Sequence, residues 1–549
     1  MTTSMSPFAK SIYLAKYAAR DEAGELVETD WSETARRVVP TVLAALGYGP
    51  ESEEVQRLTS FVRDRKFIPG GRYLYATGKD YHQTNNCLLL RAEDSREGWA
   101  DLFHKAAMSL QTGAGIGVDY SAVRGKGSRI RRTGGIASGP IELMKAVNEL
   151  GRSVMQGGNR RSAIWAGLKW SHPDIFDFIH LKDWPEYIRA AKEKDFNAPA
   201  AMDMTNISVL LDDEFFAAYH DHTHARHQTA AMVMKGVIAQ MFRTGEPGFS
   251  VNLGDQVNET LRNACTEVTS EDDSDVCNLG SINLARVTSI DEMREVTRLG
   301  TLFLLAGTSY SDVPYEKVRE VRSKNRRLGL GLMGLHEFLL TRGLRYEPSK
   351  WLGEYLVEYA KSDEYAKKYA LEHDLSVPVA TRAIAPTGTI AIVAETTTGI
   401  EPVFCVAYKR RYLDAGKVWK FQYVIDPTAK KLVDSGVDPD SIEDAYSLSL
   451  DMERRVKFQA WLQTFVDMSI SSTINMPAWG TVANDESMLA EYERILVKYL
   501  PKLRGITVYP DGARGGQPLS PVPYRVAAGQ EGLVFEESDE RCLGGVCGA

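Results

Sequence analysis

The chain has 549 residues, 44% of them hydrophobic and 25% charged, with a formal net charge of −8. That balance is ordinary for a soluble globular protein and leaves no bulk basic footprint, so non-specific nucleic-acid binding is not the default reading. The longest apolar run, LGTLFLLAG at 299–307, falls far short of a membrane span, and the N-terminus carries no signal-peptide core, so a cytoplasmic protein with reduced thiols is expected.

Residues 1–80 read as a helical region. DWSETARRVVPTVLAAL and SEEVQRLTSFVRDRKF repeat apolar residues at helical spacing with Ser or Asp near their starts, and FIPGGRYLYATG then breaks the pattern. From about residue 84 short strand-like runs (NCLLL, GIGVDYS, NISVLL, GFSVNL, SINLARV, TIAIVAE) alternate with helix-like stretches (GWADLFHKAAMSLQ, GPIELMKAVNELGRSV, AAMVMKGVIAQMFR, DEMREVTRLGTLFLLAG). Strands alternating with helices over so long a span predict one large α/β domain, with a barrel as the expected arrangement, over 81–515. Residues 516–549 are rich in Gly, Pro and acidic side chains and read as a flexible tail, yet they carry Cys542 and Cys547.

The chain has six cysteines: Cys87, Cys265, Cys277, Cys405, Cys542 and Cys547. None forms the tight paired spacing of a zinc site and no paired His accompanies them, so no metal-ligand set is expected from protein side chains. The tail pair suits thiol–disulfide exchange, its Gly-Gly spacer permitting close approach. Cys405, in FCVAY, reads as a small buried hydrophobe. The histidines His220, His222, His224 and His227 look metal-like but fit no single helix face and read as a solvated connection.

Three further stretches suggest anion contacts. In APTGTIAIVAE, Pro386, Thr387, Gly388, Thr389 and Ile390 offer hydroxyls and N–H groups ahead of an apolar run, suited to a phosphate; an ordinary helix cap is the alternative. MQGGNRRSA pairs Gly158 with Asn159 and Arg160, suited to a phosphate- or base-contacting loop or to an exposed turn. RGKGSRIRR is a basic run of the kind that binds small anions, whereas the G-x-G-x-G of QTGAGIGVDYS lacks the setting of a dinucleotide fingerprint.

Taken in order, NNC, NACTE, CNLGSINL, NRRLGLGLMG, APTGTI with GIEPVF, STINMP and GITVYPDGAR resemble the catalytic subunit of ribonucleotide reductase from about residue 66 to the C-terminus. The resemblance implies a ten-stranded α/β barrel of two parallel half-sheets arranged antiparallel to each other, with a loop inside that carries a thiyl radical. By that resemblance Cys265 is the radical residue, Glu267 the base for the ribose 3′-hydroxyl, and Asn263 a ligand of the sugar hydroxyls. Cys87 and Cys277 would supply the reducing equivalents and become a disulfide, which Cys542 and Cys547 would re-reduce for thioredoxin or a glutaredoxin-like donor. Asn86 and residues 386–390 would hold the substrate, and Gly158, Asn159 and Arg160 would relay the identity of a dNTP or ATP effector held by Asp94, Arg124 and Arg131.

Val508 precedes Tyr509 where the aerobic class places two stacked tyrosines, so the resemblance points to the adenosylcobalamin-dependent class II. A class I-type subunit needing a separate metal-radical partner is the alternative. Ala264 and Thr266, beside the radical cysteine, are closer to class I, and no N-terminal ATP-cone is expected. Family practice implies a homodimer through helices near 95–112 and 139–155.

Overall fold

The computed structural model describes residues 5–131, 134–154, 162–195, 198–276, 278–414, 418–513, 519–531 and 533–536. Five parallel strands form one run in chain order: Cys87–Arg91, Gly115–Asp119, Ile164–Lys169, Thr205–Leu211 and Gly248–Val251. Helices carry the chain back between them, among them Arg96–Gln111, Pro140–Ser153 and His227–Thr244. Ser95 starts the first of these by accepting the N–H of Gly98, so an orphan donor of the first turn is satisfied.

A second parallel run begins with Leu279–Asn283 beside Gly329–Met333. It continues through the bridges Leu330 to Arg382 and Ile384 to Ile470, and ends with Thr473–Met476 beside Gly505–Pro510. The runs meet antiparallel at one end, and at the other the first run pairs antiparallel with the short strand Asp275–Val276, which precedes Leu279 in the chain. Gly505 and Ile506 pair with Ser250 and Phe249 at one seam, and Leu88 and Leu89 pair with Val276 and Asp275 at the other.

Strands buried on both faces need apolar material on each side. Outside the first run, Ile116, Val118, Ile207 and Val209 pack on Leu143, Val147, Val237 and Met241 of its helices. Outside the second, Leu330 and Leu332 pack on Leu302 and Leu305 of the helix Ile290–Tyr310. That helix also meets Trp31–Leu43, whose start is fixed by a reciprocal capping box between Asp30 and Glu33. Between the two runs lies a smaller cluster: Cys87, Leu89, Leu261, Ala264, Val268, Leu279, Ala380, Ala383, Ala385 and Met468.

One predicted strand is a helix. TIAIVAE folds as Gly388–Ala394, because Ile390, Ala391, Val393 and Ala394 bury on one side against the core that includes the helix Pro7–Lys16. Its β-branched residues would favour a strand, and the tertiary packing overrides that local preference. Among the described residues no helix is long and apolar enough to cross a membrane.

Candidate active site

The peptide around Cys265 is a hairpin lodged between the two strand runs. Leu261 and Arg262 pair antiparallel with Ser270 and Thr269. At the tip, Asn263 accepts the N–H of Val268 on its side-chain oxygen at 3.0 Å, and its carbonyl accepts the N–H of Thr266 at 3.0 Å. Thr266 closes the turn at φ +70°, a left-handed conformation that costs a threonine energy and persists only where its surroundings impose it. Ala264 and Glu267 turn inward and are buried, whereas Cys265 is exposed at the tip.

Two glycines make room for this hairpin. A Cβ placed on Gly117 would overlap the carbonyl of Arg262, and one on Gly115 would lie 3.0 Å from the Ala264 Cβ and 3.1 Å from the Cys87 sulfur. Cys87 and the hairpin tip thus converge over Gly115. The G-x-G of GIGVD, weak as a nucleotide fingerprint, is the bed on which the hairpin lies.

The interior is poor in polar partners. Burial, and then the charge of Cys87, push the Glu267 carboxyl up to about 8, and its own backbone N–H and the nearby Asn263 amide, which approaches without closing a hydrogen bond, pull it only partly back. Neither Glu267 Oε2 nor Asn263 Nδ2 meets a hydrogen-bond partner among the described residues, although both atoms are buried. Such orphans are costly in a finished fold and mark a place where a polar ligand completes the bonding.

The base of the hairpin is held by a buried ionic network that sequence reading missed. Arg262, fully buried, donates to Asn252 Oδ1 at 2.7 Å and to the Glu259 carbonyl at 2.6 Å. Glu259 accepts Arg504 at 3.0 Å and the Thr269 hydroxyl at 2.6 Å. Asp275 accepts Arg327 at 3.0 Å, the Ser270 hydroxyl at 2.7 Å and Asn325 at 3.0 Å. The acidic TSEDDSD is therefore more than a connecting turn: Asp272 and Asp273 also pair, with Lys324 and Lys105. Thr269 and Ser270 belong to the hairpin, and Asp275 to the strand that lies beside Cys87–Arg91. The network therefore ties the hairpin to the edge that carries Cys87.

Cys277 lies outside the described residues, as do Gly158, Asn159 and Arg160 and the tail cysteines Cys542 and Cys547. Asn86 directly precedes Cys87, is half-buried, and accepts the Gly115 N–H at 3.0 Å. Ala385 belongs to the same interior cluster as Cys87 and Ala264, and the chain leaves it through exposed Pro386. Thr387 follows at φ +54°, its hydroxyl accepting the Gly399 N–H at 2.7 Å and its carbonyl accepting the Ala391 N–H at 2.8 Å. Gly388 is exposed, Thr389 half-buried and Ile390 buried, so the first turn of the helix opens to solvent where its N–H groups lack intrahelical acceptors.

Elsewhere, Arg124 pairs with Asp94 at 2.8 Å, and Arg131 is exposed in the next turn. His222 and His227 hydrogen-bond each other, and no group of three His, Cys, Asp or Glu among the described residues is arranged to hold a metal ion. Cys405 is buried, and that burial raises its thiol far above the ordinary range. Val508 is buried in the apolar core outside the strands.

An α/β protein with a cysteine-tipped hairpin held between two parallel strand runs is a narrow class. The sequence profile described as ribonucleotide reductase, barrel domain, matches residues 85–234, 221–352 and 378–498, and the chain belongs to that family. It is 27% identical to the vitamin B12-dependent ribonucleoside-diphosphate reductase of Mycobacterium tuberculosis over 99% of this chain and 84% of that protein. The enzyme of the same name from Thermoplasma acidophilum is 26% identical over 85% of this chain and 66% of its own length. A crystal structure titled as a B12-dependent (class II) ribonucleotide reductase superposes with a TM-score of 0.70 at 17% identity, covering 94% of this chain and 93% of the other, which establishes the shared fold.

Proposed function

We propose that this protein reduces ribonucleotides to deoxyribonucleotides by thiyl-radical chemistry, with adenosylcobalamin as the radical source. The observation that carries the reading is the exposed Cys265 thiol at the tip of a hairpin whose inner flanks, Glu267 and Asn263, are buried with unsatisfied polar atoms beside Cys87. The relatives' names supply the substrate class and the cofactor.

The residues fit an external radical source. The Cys265 sulfur is reachable from outside the hairpin, and Val508, packed in apolar surroundings, offers no phenol for a chain-borne relay. When bound, adenosylcobalamin supplies a carbon radical by homolysis of its cobalt–carbon bond. As a thiyl radical, Cys265 takes the hydrogen atom from ribose C3′. Ionised Glu267 accepts the 3′-hydroxyl proton, and Asn263 Nδ2 donates to a sugar oxygen and holds the ring against the tip. Water leaves C2′, Cys87 and Cys277 give two electrons and two protons and join as a disulfide, Glu267 returns its proton to the 3′-oxygen, and Cys265 returns a hydrogen atom to C3′ and is again the thiyl radical. The open turn at Pro386 to Ile390 receives the substrate phosphates through backbone N–H groups, with Asn86 at the sugar end.

Around this site, the antiparallel pairings at Gly505–Ile506 and Leu88–Leu89 support closure of the strand runs into a ten-stranded barrel over 81–515, preceded by a helical region (1–80) and followed by a redox segment (516–549), of which Leu519–Pro521, Tyr524–Ala527 and Val534–Glu536 are regular elements where a flexible tail was expected. Cys542 and Cys547 would re-reduce the catalytic disulfide and take electrons from thioredoxin or a glutaredoxin-like protein in the cytoplasm. A dNTP or ATP effector would sit by Asp94, Arg124 and Arg131 and act through Gly158 to Arg160. The packed pair Arg96–Gln111 and Pro140–Ser153 is the face proposed for a homodimer.

The test is turnover of purified protein with adenosylcobalamin as the only added cofactor, dithiothreitol as reductant, and ribonucleoside di- or triphosphates with dNTP effectors. Deoxynucleotide should form, and Cys265→Ser should abolish it while nucleotide binding persists. Absence of product with every nucleotide, or product only on adding a metal-radical subunit, would overturn the reading.

A further inference from the structure

Beyond the strand runs, the protein carries a separate four-stranded antiparallel sheet whose two halves are distant in sequence. Its centre is the hairpin of Ala407–Asp414 and Val418–Ile425. Both outer edges are filled from the C-terminal part of the chain. Leu519–Pro521 pairs with the first hairpin strand, Pro521 opposite Tyr408, and Val534–Glu536 pairs with the second, Phe535 opposite Phe421.

The attachment is more than edge pairing. Phe535 stacks on Phe421 with ring centres 5.8 Å apart and lies 5.4 Å from the ring of Tyr423. The short helix Tyr524–Ala527 crosses the sheet, its Ala527 fully buried with Ala407 and Ile425. Lys430 and Glu531 form an ion pair, and Glu531 bridges to Tyr423.

The feet of the hairpin are tied to the body next to the candidate phosphate turn. Gly399, eight residues before Ala407, donates to the Thr387 hydroxyl. Val403 donates to His336 Nδ1 at 2.8 Å, and Asp426, one residue past the hairpin, caps the helix Pro427–Asp434 by accepting the N–H groups of Thr428 and Ala429. Whatever holds residue 536 to this hairpin therefore holds it in a fixed relation to the site.

Cys542 follows Glu536 by six residues, which span at most about 20 Å fully extended. We propose that this sheet is a mooring for the C-terminal cysteine pair: it fixes where the tail leaves the body, so that the Cys542/Cys547 dithiol reaches the catalytic disulfide at high effective concentration. The inference rests on the proposed function and names Phe535, with its partners Phe421 and Tyr423, as positioning residues. The exchange it serves is balanced. The two tail thiols break the Cys87–Cys277 S–S bond, the catalytic sulfurs recover two protons and two electrons, the tail pair becomes the disulfide, and a thioredoxin dithiol reduces it in turn.

The test compares two reductants on the full chain with adenosylcobalamin, since dithiothreitol reaches the catalytic disulfide without the tail. In Phe535→Glu, thioredoxin-driven turnover should fall about threefold, because Glu531 and Ala527 still hold the chain and the tether lengthens by only a few residues, while dithiothreitol-driven turnover stays at the wild-type rate. Retention of both activities overturns the mooring. Should both be lost, a second variant decides: a flexible Gly/Ser insert of about 20 residues after Glu536 leaves the sheet intact and should cut thioredoxin-driven turnover about fivefold by diluting the tail. Wild-type rates in that insert would refute the proposal. Absence of dithiothreitol-driven reduction in the wild type would instead refute the proposed function itself.

Discussion

Glu267 makes the sharpest prediction. Its carboxyl stands at about 8 instead of the ordinary 4.5, first because burial strips its hydration and then because Cys87 lies close. A base must be ionised to accept the 3′-hydroxyl proton. With a midpoint near 8, about one molecule in ten carries the carboxylate at pH 7 and half do at pH 8, so kcat/KM should climb about fivefold between them. The assay is kcat/KM from pH 6 to 9.5 with dithiothreitol-reduced protein. The same group sets a stability signature. Its folded value lies above its unfolded one, so its contribution is full below pH 4.5 and is lost as pH rises through 8. At about 1.4 kcal/mol per pH unit, the wild type should lose about 3 kcal/mol between pH 5.5 and 7.5 relative to Glu267→Gln, which has nothing to ionise. Urea unfolding of both proteins at the two pH values measures the difference. A flat kcat/KM from pH 6 to 8, together with identical pH responses of the two proteins, would refute this account of the carboxyl.

Three other substitutions test the frame. Gly117→Ala places a methyl group into the Arg262 carbonyl; it should displace the hairpin and abolish turnover, and a fully active variant would show that the hairpin does not lie on that strand. Arg327→Met removes a buried partner of Asp275 and should cost about 3–5 kcal/mol in urea unfolding, the range expected when one member of a buried ion pair is left alone. Val508→Tyr should destabilise the chain by about 1–3 kcal/mol through overpacking and leave turnover independent of any radical subunit, measured by unfolding and by the cofactor-only assay.

Four of the five strands of the first run were legible as short apolar runs set between helical periods, whereas Ile164–Lys169 (IWAGLK) was not read as a strand. Cys87–Arg91 and Thr205–Leu211 fall where those patterns put them, as does the helix Ile290–Tyr310 outside the second run. TIAIVAE failed as a strand because Ile and Val carry the same local signal in a buried helix and a buried strand; the helix start offered as the alternative at residues 386–390 is the one the chain adopts, with Thr387 left-handed at its cap. Arg382 and Ile384 join the second run through single bridges, too brief a pairing to leave a periodic trace.

The site was legible in its residue types but not in its depth. NACTE marks a turn carrying a thiol, a carboxyl and an amide, and that much follows from the letters. That the carboxyl is buried while the thiol is exposed two positions away depends on Gly115, Gly117 and Ser469, which touch the hairpin from elsewhere in the chain. The pairing of the acidic TSEDDSD after it is hidden for the same reason. A run of Glu and Asp resembles a solvated loop until Lys105, Lys324 and Arg327 are brought against it, and only the folded chain places those cations there. Charge written locally in the sequence is paired at long range in the structure. The residues that set the height of Cys265 are therefore arginines and glycines far from it, which a motif search centred on the cysteine does not reach.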